Sequence, residues 1–255
     1  MSSVILPPIA NRLIEGMGVL AAFKIIGIVF LVVICLCSLV MEKCPEDYAL
    51  AGYTLALAGG GEDNDKNWRQ MLKEPAFYIM ITVLVCGAFT GLMLISQASP
   101  LAKNMMGFNA AASAAIVSVL ALFNSIGRVC AGMVSDKIGR INTIRLALIL
   151  AVAGILMLIF GGSTSAIFVC AMAFIGVCFG SFMGVFPGFT AEKFGMKYNT
   201  VNYGIMFIGF AFAGIIGPVA ISRVYALSGS YTPAFIMAAC FAAAGLVLTM
   251  FIPKE

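Results

Sequence analysis

Seven blocks of about 20 or more predominantly apolar residues dominate this sequence of 255 residues. A helix of about 20 residues is long enough to cross roughly 30 Å of hydrocarbon. Only helices and closed barrels satisfy all their backbone hydrogen bonds inside a bilayer. The blocks therefore predict an all-α fold, a polytopic membrane helix bundle. Its predicted spans are residues 19–41, 75–98, 109–134, 141–160, 165–189, 200–225 and 231–252.

The composition excludes several other classes of protein. Hydrophobic residues make up 62% of the chain and charged residues only 10%, which is far from an ordinary soluble domain. A net charge of +4 is too small to indicate nucleic acid as a partner. Histidine is absent, so zinc–histidine sites and Ser-His-Asp triads are excluded. Most of the eight cysteines lie in apolar blocks and are interpreted as buried thiols, so we expect no metal and no cofactor.

Lysine and arginine alternate between the two sides of the predicted bundle. The richer side is predicted to be cytoplasmic, because basic residues are retained on that side of a membrane. This places the C-terminus and the polar segment 42–74 in the cytoplasm of a cell with a plasma (inner) membrane. The richer set is Lys43, Lys66, Arg69, Lys73, Lys137, Arg140, Arg145, Lys193, Lys197 and Lys254, and the poorer set is Arg12, Lys24, Lys103 and Arg223.

An internal repeat gives a meaning to the first residues of the chain. The pattern around Pro8, Ala10 and Arg12 recurs around Pro218 and Ala220, at an offset of 210 to 212 residues. Two similar six-helix halves would produce such a repeat. Residues 1–14 would then correspond to the end of the fifth helix and residues 15–41 to the sixth. Residues 42–74, with GGGEDNDKN at the centre, have the composition of a solvated linker between halves.

Arg128 is the most unusual residue of the predicted spans. An arginine within a membrane helix is costly, and it usually faces the bundle interior or a water-filled cavity. Eight residues separate Arg128 from Asp136, which is about 12 Å along a helix and hence near the bilayer midplane. A guanidinium there can bind a carboxylate through two charge-assisted hydrogen bonds. Asn124 lies one turn earlier on the same face. The alternative is that Arg128 bonds only to backbone carbonyls or to a structural partner.

Two local patterns bear on how the helices meet. Gly132, Asp136, Gly139 and Arg140 form a compact charged turn, in which Asp136 is expected to accept from backbone amides at a helix N-terminus. Glu192 is expected to be solvated. Close helix packing is predicted at two small-xxx-small pairs, and Pro187 and Pro218 are expected to kink or end their helices. These pairs are Gly87 with Gly91 and Gly180 with Gly184.

The turn Gly132-Met-Val-Ser-Asp136-Lys-Ile-Gly139-Arg140 resembles the conserved loop of the major facilitator superfamily, in the copy between the eighth and ninth helices. Four further stretches resemble the oxalate/formate antiporters and their monocarboxylate-carrying relatives. They are Gly91-Leu-Met-Leu-Ile-Ser96, Asn124-Ser-Ile-Gly127-Arg128, Phe186-Pro187 with Phe194-Gly195, and Asn202-Tyr203-Gly204 with Gly217-Pro218. The resemblance implies a twelve-helix fold, of which residues 75–255 form the C-terminal six-helix half. It also implies a substrate-binding arginine at position 128 and a gating role for the turn.

The resemblance further suggests a second cation, a lysine midway along the eleventh helix, where this chain has Phe210. No lysine or arginine occurs between Lys197 and Arg223. Tyr203 and Phe207 share the face of Phe210 at helical spacing. One cation with aromatic walls favours a monocarboxylate over oxalate, although such a stripe can also serve packing alone. Proton-coupled relatives have an aspartate where this chain has Asn124, so exchange or facilitated flux is favoured over proton symport.

The sequence therefore predicts a transporter that carries small carboxylates such as formate, oxalate, lactate or pyruvate by alternating access. Its partners would be the anion, the lipid bilayer and an N-terminal half, supplied in cis or by another chain. The alternative is a non-transporting membrane fragment, or a half-carrier that acts only in assembly. Seven spans also fit a receptor. An intramembrane enzyme is less consistent with the sequence, which lacks histidine and an intramembrane pair of carboxylates.

Overall fold

The computed structural model describes residues 9–10, 12–14, 16–40, 65–162 and 164–252. The chain divides into two compact units, Met1–Gly59 and Gly60–Glu255, each of which is treated by itself. Most of the residues predicted to resemble the end of a fifth helix, and most of the linker 42–74, lie outside the described residues. The same holds for the predicted cytoplasmic Lys43 and Lys254.

The first unit contains helix α1, Val19–Val40, which is 22 residues long. Its apolar side chains surround the whole helix, and Ala22 is its one buried residue. A helix that is apolar on every side is typical of a membrane span. α1 thus agrees with the predicted first span.

The second unit is built from helices joined by short connections. They are α2 (Trp68–Met71), α3 (Pro75–Ser96), α4 (Ala98–Met106), α5 (Ala110–Ile138), α6 (Arg140–Gly161), α7 (Ser165–Phe194), α8 (Asn199–Ser228) and α9 (Thr232–Leu248), with a 3₁₀ turn at Thr249–Phe251. Among the described residues, seven helices are long and apolar enough to cross a membrane. The predicted all-α polytopic bundle is confirmed.

Three helices, α5, α7 and α8, are at least three residues longer than the sequence predicted. α5 continues to Ile138 and α7 to Phe194, so the segment predicted as a charged turn is helical up to Gly139. Gly139 alone breaks the helix, with φ 87° and ψ 155°. That left-handed backbone suits glycine, which has no Cβ to clash. Pro187 and Pro218 lie inside continuous helices, so the expectation that they would end them is wrong.

Helices α3 and α7 form the centre of the second unit. In the apolar 18-residue stretch of each, 61% of the residues are buried, against 22% for α5 and 28% for α8. α7 packs against α5 and α6, while α3 packs against α8 and α9. α7 also contacts α8. The exposed faces of α5 and α8 therefore flank a core provided by α7 and α3.

Polar contacts fix both ends of this unit. The Nδ2 of Asn202 donates to the Lys66 carbonyl at 2.8 Å, and the Lys66 amide donates to the Phe194 carbonyl at 2.9 Å. These bonds join the segment before α2 to the junction of α7 and α8. At the other end of the chain, Nε of Arg145 donates to Thr249 Oγ1 at 3.0 Å and Nη2 donates to the Thr249 carbonyl at 2.9 Å. Arg145 thus satisfies a carbonyl at the end of the last helix, which otherwise lacks a partner.

Candidate functional site

The centre of the candidate site is a pair of side chains on one face of α5. The Nε of Arg128 donates a hydrogen bond to Oδ1 of Asn124 at 3.2 Å. Arg128 is exposed and Asn124 is half-buried. The Nη1 and Nη2 groups of Arg128 have no hydrogen-bond partner among the described residues, so this edge of the guanidinium can bind a carboxylate through two parallel hydrogen bonds.

A row of glycines on α7 lets the backbone of α5 approach closely. A Cβ at Gly180 would lie 2.1 Å from the Asn124 carbonyl oxygen, and one at Gly184 would lie 2.5 Å from that of Arg128. Both distances are far below any real contact, so neither position accommodates a side chain without displacing α5. The prediction of close helix packing at this pair is therefore confirmed, and the pair sets the position of Arg128.

The same contact continues one turn further and is reciprocated by α5. A Cβ at Gly176 would lie 2.7 Å from the Leu120 carbonyl oxygen. From the other side, a Cβ at Gly127 would lie 2.5 Å from the Val177 carbonyl oxygen. Backbone-to-backbone packing of this kind is common where small residues recur every fourth position.

The other glycine pair has a different role from the one predicted. A Cβ at Gly87 would lie 2.2 Å from the Phe182 ring, and one at Gly91 would lie 2.5 Å from the Phe179 ring. These α3 glycines therefore hold aromatic side chains of α7 rather than another helix backbone. The sequence did not single out Phe179, because nothing in its spacing distinguishes it from the other phenylalanines of α7.

A row of aromatic rings extends along α8 and onto α7. On α8, the centroid of the Phe207 ring lies 5.6 Å from that of Tyr203 and 4.6 Å from that of Phe210. Phe179 of α7 continues the row, with its ring 5.8 Å from Phe210. Arg128 is close enough to Tyr203 for the positive charge of its guanidinium to act on the Tyr203 hydroxyl. The structure thus places Asn124 and Arg128 together on α5, and Tyr203, Phe207 and Phe210 together on α8. The link between the two groups is the proximity of Arg128 to Tyr203.

A second polar cluster joins the ends of three helices. Nη1 of Arg140 pairs with Oδ1 of Asp136 at 2.8 Å and Nε of Arg140 pairs with Oε2 of Glu192 at 3.3 Å. Arg140 also donates to the Ser135 hydroxyl, which in turn donates to the Gly132 carbonyl at 2.7 Å. Because these residues belong to α5, α6 and α7, Arg140 fastens the three helix ends together.

Two expectations about this cluster are corrected. The Asp136 carboxylate accepts from Arg140, one turn later, and not from backbone amides at a helix N-terminus. Glu192 is half-exposed but ion-paired, so the expectation that it is merely solvated is wrong. Gly132 has nothing within 4 Å of an added Cβ, so its contribution here is its carbonyl.

The two acidic residues occupy equivalent places in a short local repeat. Asp136-Lys-Ile-Gly139 ends α5, and Glu192-Lys-Phe-Gly195 ends α7. Gly139 and Gly195 have nearly identical backbone angles, 87° and 155° against 87° and 160°. The repeat therefore places one carboxylate three residues before each helix break, and both carboxylates reach Arg140. This was a signal in the sequence from which Glu192 could have been recognised.

Comparison with known proteins indicates a family. Residues 1–218 match the model described as Major Facilitator Superfamily. The chain is 26% identical over 248 residues to the oxalate:formate antiporter of Oxalobacter formigenes, which covers 96% of this chain and 57% of the relative. It is 25% identical over 207 residues to the uncharacterized MFS-type transporter YhjX of Escherichia coli (strain K12), covering 81% and 50%. The chain spans about half the length of these curated relatives.

Proposed function

The chain belongs to the Major Facilitator Superfamily, and from this premise we propose that it acts in the secondary transport of small carboxylates. It is an integral, multi-pass membrane protein, and its family points to a carrier rather than an enzyme. The observation that carries the proposal is the arrangement of Arg128, whose Nε is held by Asn124, whose Nη groups are unused among the described residues, and which lies near Tyr203. A carboxylate would bind the guanidinium while its remainder contacts the rings.

The proposed substrates are monocarboxylates such as formate, lactate or pyruvate, with oxalate bound less well. The resemblance to an oxalate:formate antiporter supports the carboxylate class. The position at which the resemblance suggests a second cation is occupied by Phe210, whose ring stacks on Phe207. A dicarboxylate would leave its second charge against these apolar rings, and burying an unpaired charge is costly.

The proposed mode is exchange or facilitated flux through alternating access. In the six spans of the second unit, the carboxylates are Asp136 and Glu192, both close to helix ends and both paired with Arg140. Asn124 cannot titrate, so no carboxylate of these spans exchanges a proton beside Arg128. The cluster at Arg140 would hold α5, α6 and α7 together in one state, and its separation would accompany the other state.

The remaining part of the carrier would be an N-terminal half, present in the same chain or supplied by another one. The alternative is a half-carrier or membrane fragment that does not transport. Binding and flux separate these two functions. A full carrier binds carboxylate and moves it across the membrane of proteoliposomes. A half-carrier binds carboxylate but gives no flux until its partner is added.

The binding test uses the purified chain and radiolabelled formate or lactate. Arg128→Gln retains the length and polarity of the side chain but loses its charge, so binding should fall by at least about tenfold. Arg223→Gln is the matched control, because Arg223 is an exposed arginine near the far end of α8. Equal binding by the wild type and Arg128→Gln, with both variants helical and monodisperse, would overturn the proposal.

The apparent mass of the native protein shows whether the two halves of the carrier belong to one chain or to two. An antibody raised against residues 42–74 would be used on membranes of the source organism. A band near the 26.8 kDa of this chain would mean that the other half is supplied separately. A band about one and a half times heavier, as twelve spans of about 20 residues and the loops between them require, would mean that both halves share one chain.

A further inference from the structure

An apolar groove lies between α5, α6 and α7, away from the residues of the carboxylate site. It has a volume of about 100 Å³. None of Asn124, Arg128 and Tyr203 lines it. Its walls include Gly127, Cys130 and Val134 of α5, Leu146 and Leu150 of α6, and Val177 of α7.

The groove offers no unused polar group to a ligand. Two hydroxyl groups belong to its lining, Thr143 and Ser181. Thr143 Oγ1 donates to the Gly139 carbonyl at 3.0 Å and Ser181 Oγ donates to the Val177 carbonyl at 2.7 Å, so each is satisfied within its own helix. An ordered water needs two to four polar partners, which this lining does not offer, so hydrocarbon is the fitting occupant.

The groove opens towards the side of the bundle. Small residues, Gly127, Ala131 and Ala147, leave its floor empty. Cys130 and Leu146 stand at its edge and are exposed, Leu146 by 46%. Since α5, α6 and α7 are membrane spans, the material beside this opening is the acyl chains of the bilayer.

A cation stands at the end of the groove where α5 reaches the bilayer surface. Lys137 lies three residues after Val134 and seven after Cys130, which places it on the same face of the helix. It is exposed, one residue before the end of α5, and forms no ion pair or hydrogen bond within the described residues. The charges around it, Asp136, Arg140 and Glu192, are paired with each other. Lys137 is therefore available to an anion at headgroup depth.

We propose that this groove and Lys137 form a binding site for an anionic phospholipid, with a few methylene groups of one acyl chain in the groove between α5, α6 and α7 and the headgroup phosphate on the Lys137 ammonium. Charge complementarity favours an anionic over a zwitterionic headgroup at this position. The lipid would bridge α5 and α6 beside the break at Gly139, close to the cluster centred on Arg140. The site would thus link the lipid composition of the membrane to the helix ends that Arg140 fastens.

The test offers phosphatidylglycerol or phosphatidylcholine to the purified full chain and counts retained lipids by native mass spectrometry. The wild type should bind phosphatidylglycerol about fivefold more tightly than phosphatidylcholine, the effect of one lysine near an anionic surface. Lys137→Gln should abolish this preference. Lys73→Gln, which removes an exposed lysine far from the groove, should preserve it. A preference that survives Lys137→Gln overturns the headgroup assignment.

The acyl chain is tested separately. Cys130→Phe places a ring in the groove and should displace the retained lipid, whereas Cys170→Phe, at another exposed cysteine outside the groove, should not. The unmodified chain supplies an independent measurement with phosphatidylglycerol that carries a diazirine on its acyl chain. Photolysis should label residues 127–150 and 177–181 above the other spans. Labelling spread evenly over all spans, or full lipid retention by Cys130→Phe, would contradict acyl-chain binding in the groove.

Discussion

The Nε of Arg128 donates to Oδ1 of Asn124 at 3.2 Å, one helical turn earlier on α5. Asn124 therefore holds the guanidinium in place without neutralising it. The edge formed by Nη1 and Nη2 remains for a ligand, as the proposed carboxylate site requires. A carboxylate in place of this amide would pair with Arg128 and compete with the substrate.

Asn124→Asp should weaken monocarboxylate binding about tenfold, because the new carboxylate pairs with Arg128 and competes with the ligand for the guanidinium. The Arg128 cation stabilises the ionised form of this carboxyl group, so the competitor stays ionised wherever the ligand is ionised. The loss should therefore persist from neutral to mildly acidic pH, which equilibrium binding of labelled formate measures. Asn124→Ala is the control, since it loses the positioning bond but adds no competitor and should weaken binding less. Equal losses in the two variants would contradict competition for Arg128.

Gly180→Ala should displace α5 and with it Arg128. The added methyl would lie 2.1 Å from the Asn124 carbonyl oxygen and 3.0 Å from the Arg128 amide nitrogen. Overpacking of this kind typically costs about 1–3 kcal/mol, so the thermal midpoint of the solubilised protein should fall. Carboxylate affinity should fall as well, because the guanidinium moves with its backbone.

The control for that change is a glycine with space around it. Gly27 of α1 has nothing within 4 Å of an added Cβ, so Gly27→Ala should leave the thermal midpoint unchanged or raise it slightly. If Gly180→Ala were as stable as Gly27→Ala and bound carboxylate normally, close packing at Gly180 would not be what positions Arg128.

The sequence predicted the spans because their physical cause is local. A run of about 20 apolar residues is determined by bilayer thickness, and it is visible without any tertiary contact. The helix ends were predicted less well. Gly139 ends α5 through its left-handed backbone, and the charged residues before it are as helical as the apolar ones. The predicted end of this span, at residue 134, followed the change from apolar to polar residues and was therefore too early.

Helical spacing predicted which residues lie together on one helix, but it missed two contacts that form between helices. Asn124 and Arg128 are four residues apart, so helical spacing alone brings them together. The contact between Arg140 and Glu192 spans 52 residues and depends on how α6 and α7 pack. Phe179 likewise depends on the space that Gly91 leaves for its ring. Such long-range pairs follow from packing, which hydrophobic periodicity does not encode.

Arg140→Ala should destabilise the helix ends more than the loss of either acidic partner. Its side chain is 18% exposed, whereas those of Asp136 and Glu192 are 61% and 53% exposed. Exposed pairs contribute less than about 1 kcal/mol each, so Asp136→Asn and Glu192→Gln should have small effects. Arg140→Ala removes both pairs and the bond to Ser135, and should cost about 1–2 kcal/mol.

A double-mutant cycle between Arg140→Ala and Glu192→Gln separates the pair from other effects of each change. The coupling, measured from thermal or denaturant unfolding of the solubilised chain, should be positive and should shrink at high salt. Lys73→Ala, at an exposed lysine outside the cluster, should show no coupling with Glu192→Gln. Strict additivity of Arg140→Ala and Glu192→Gln would contradict a structural role for the pair.

Phe210→Lys should shift the preference of the proposed site from monocarboxylates towards oxalate. The Phe210 ring stacks on Phe207 and contacts Phe179, so an ammonium there would lie among the rings of the proposed site. A second charge-assisted contact is worth about 1.5–3 kcal/mol, so competition by oxalate against labelled formate should strengthen by about tenfold or more. Phe212→Lys adds the same charge two residues away on an exposed face and should give no such gain, because its side chain points away from Phe207 and Phe179. Equal gains in the two variants would mean that added charge alone attracts the dianion. If oxalate already competed as strongly as formate in the unmodified chain, the aromatic row would not select monocarboxylates, since a site with one cation would then be binding a dianion without a second one.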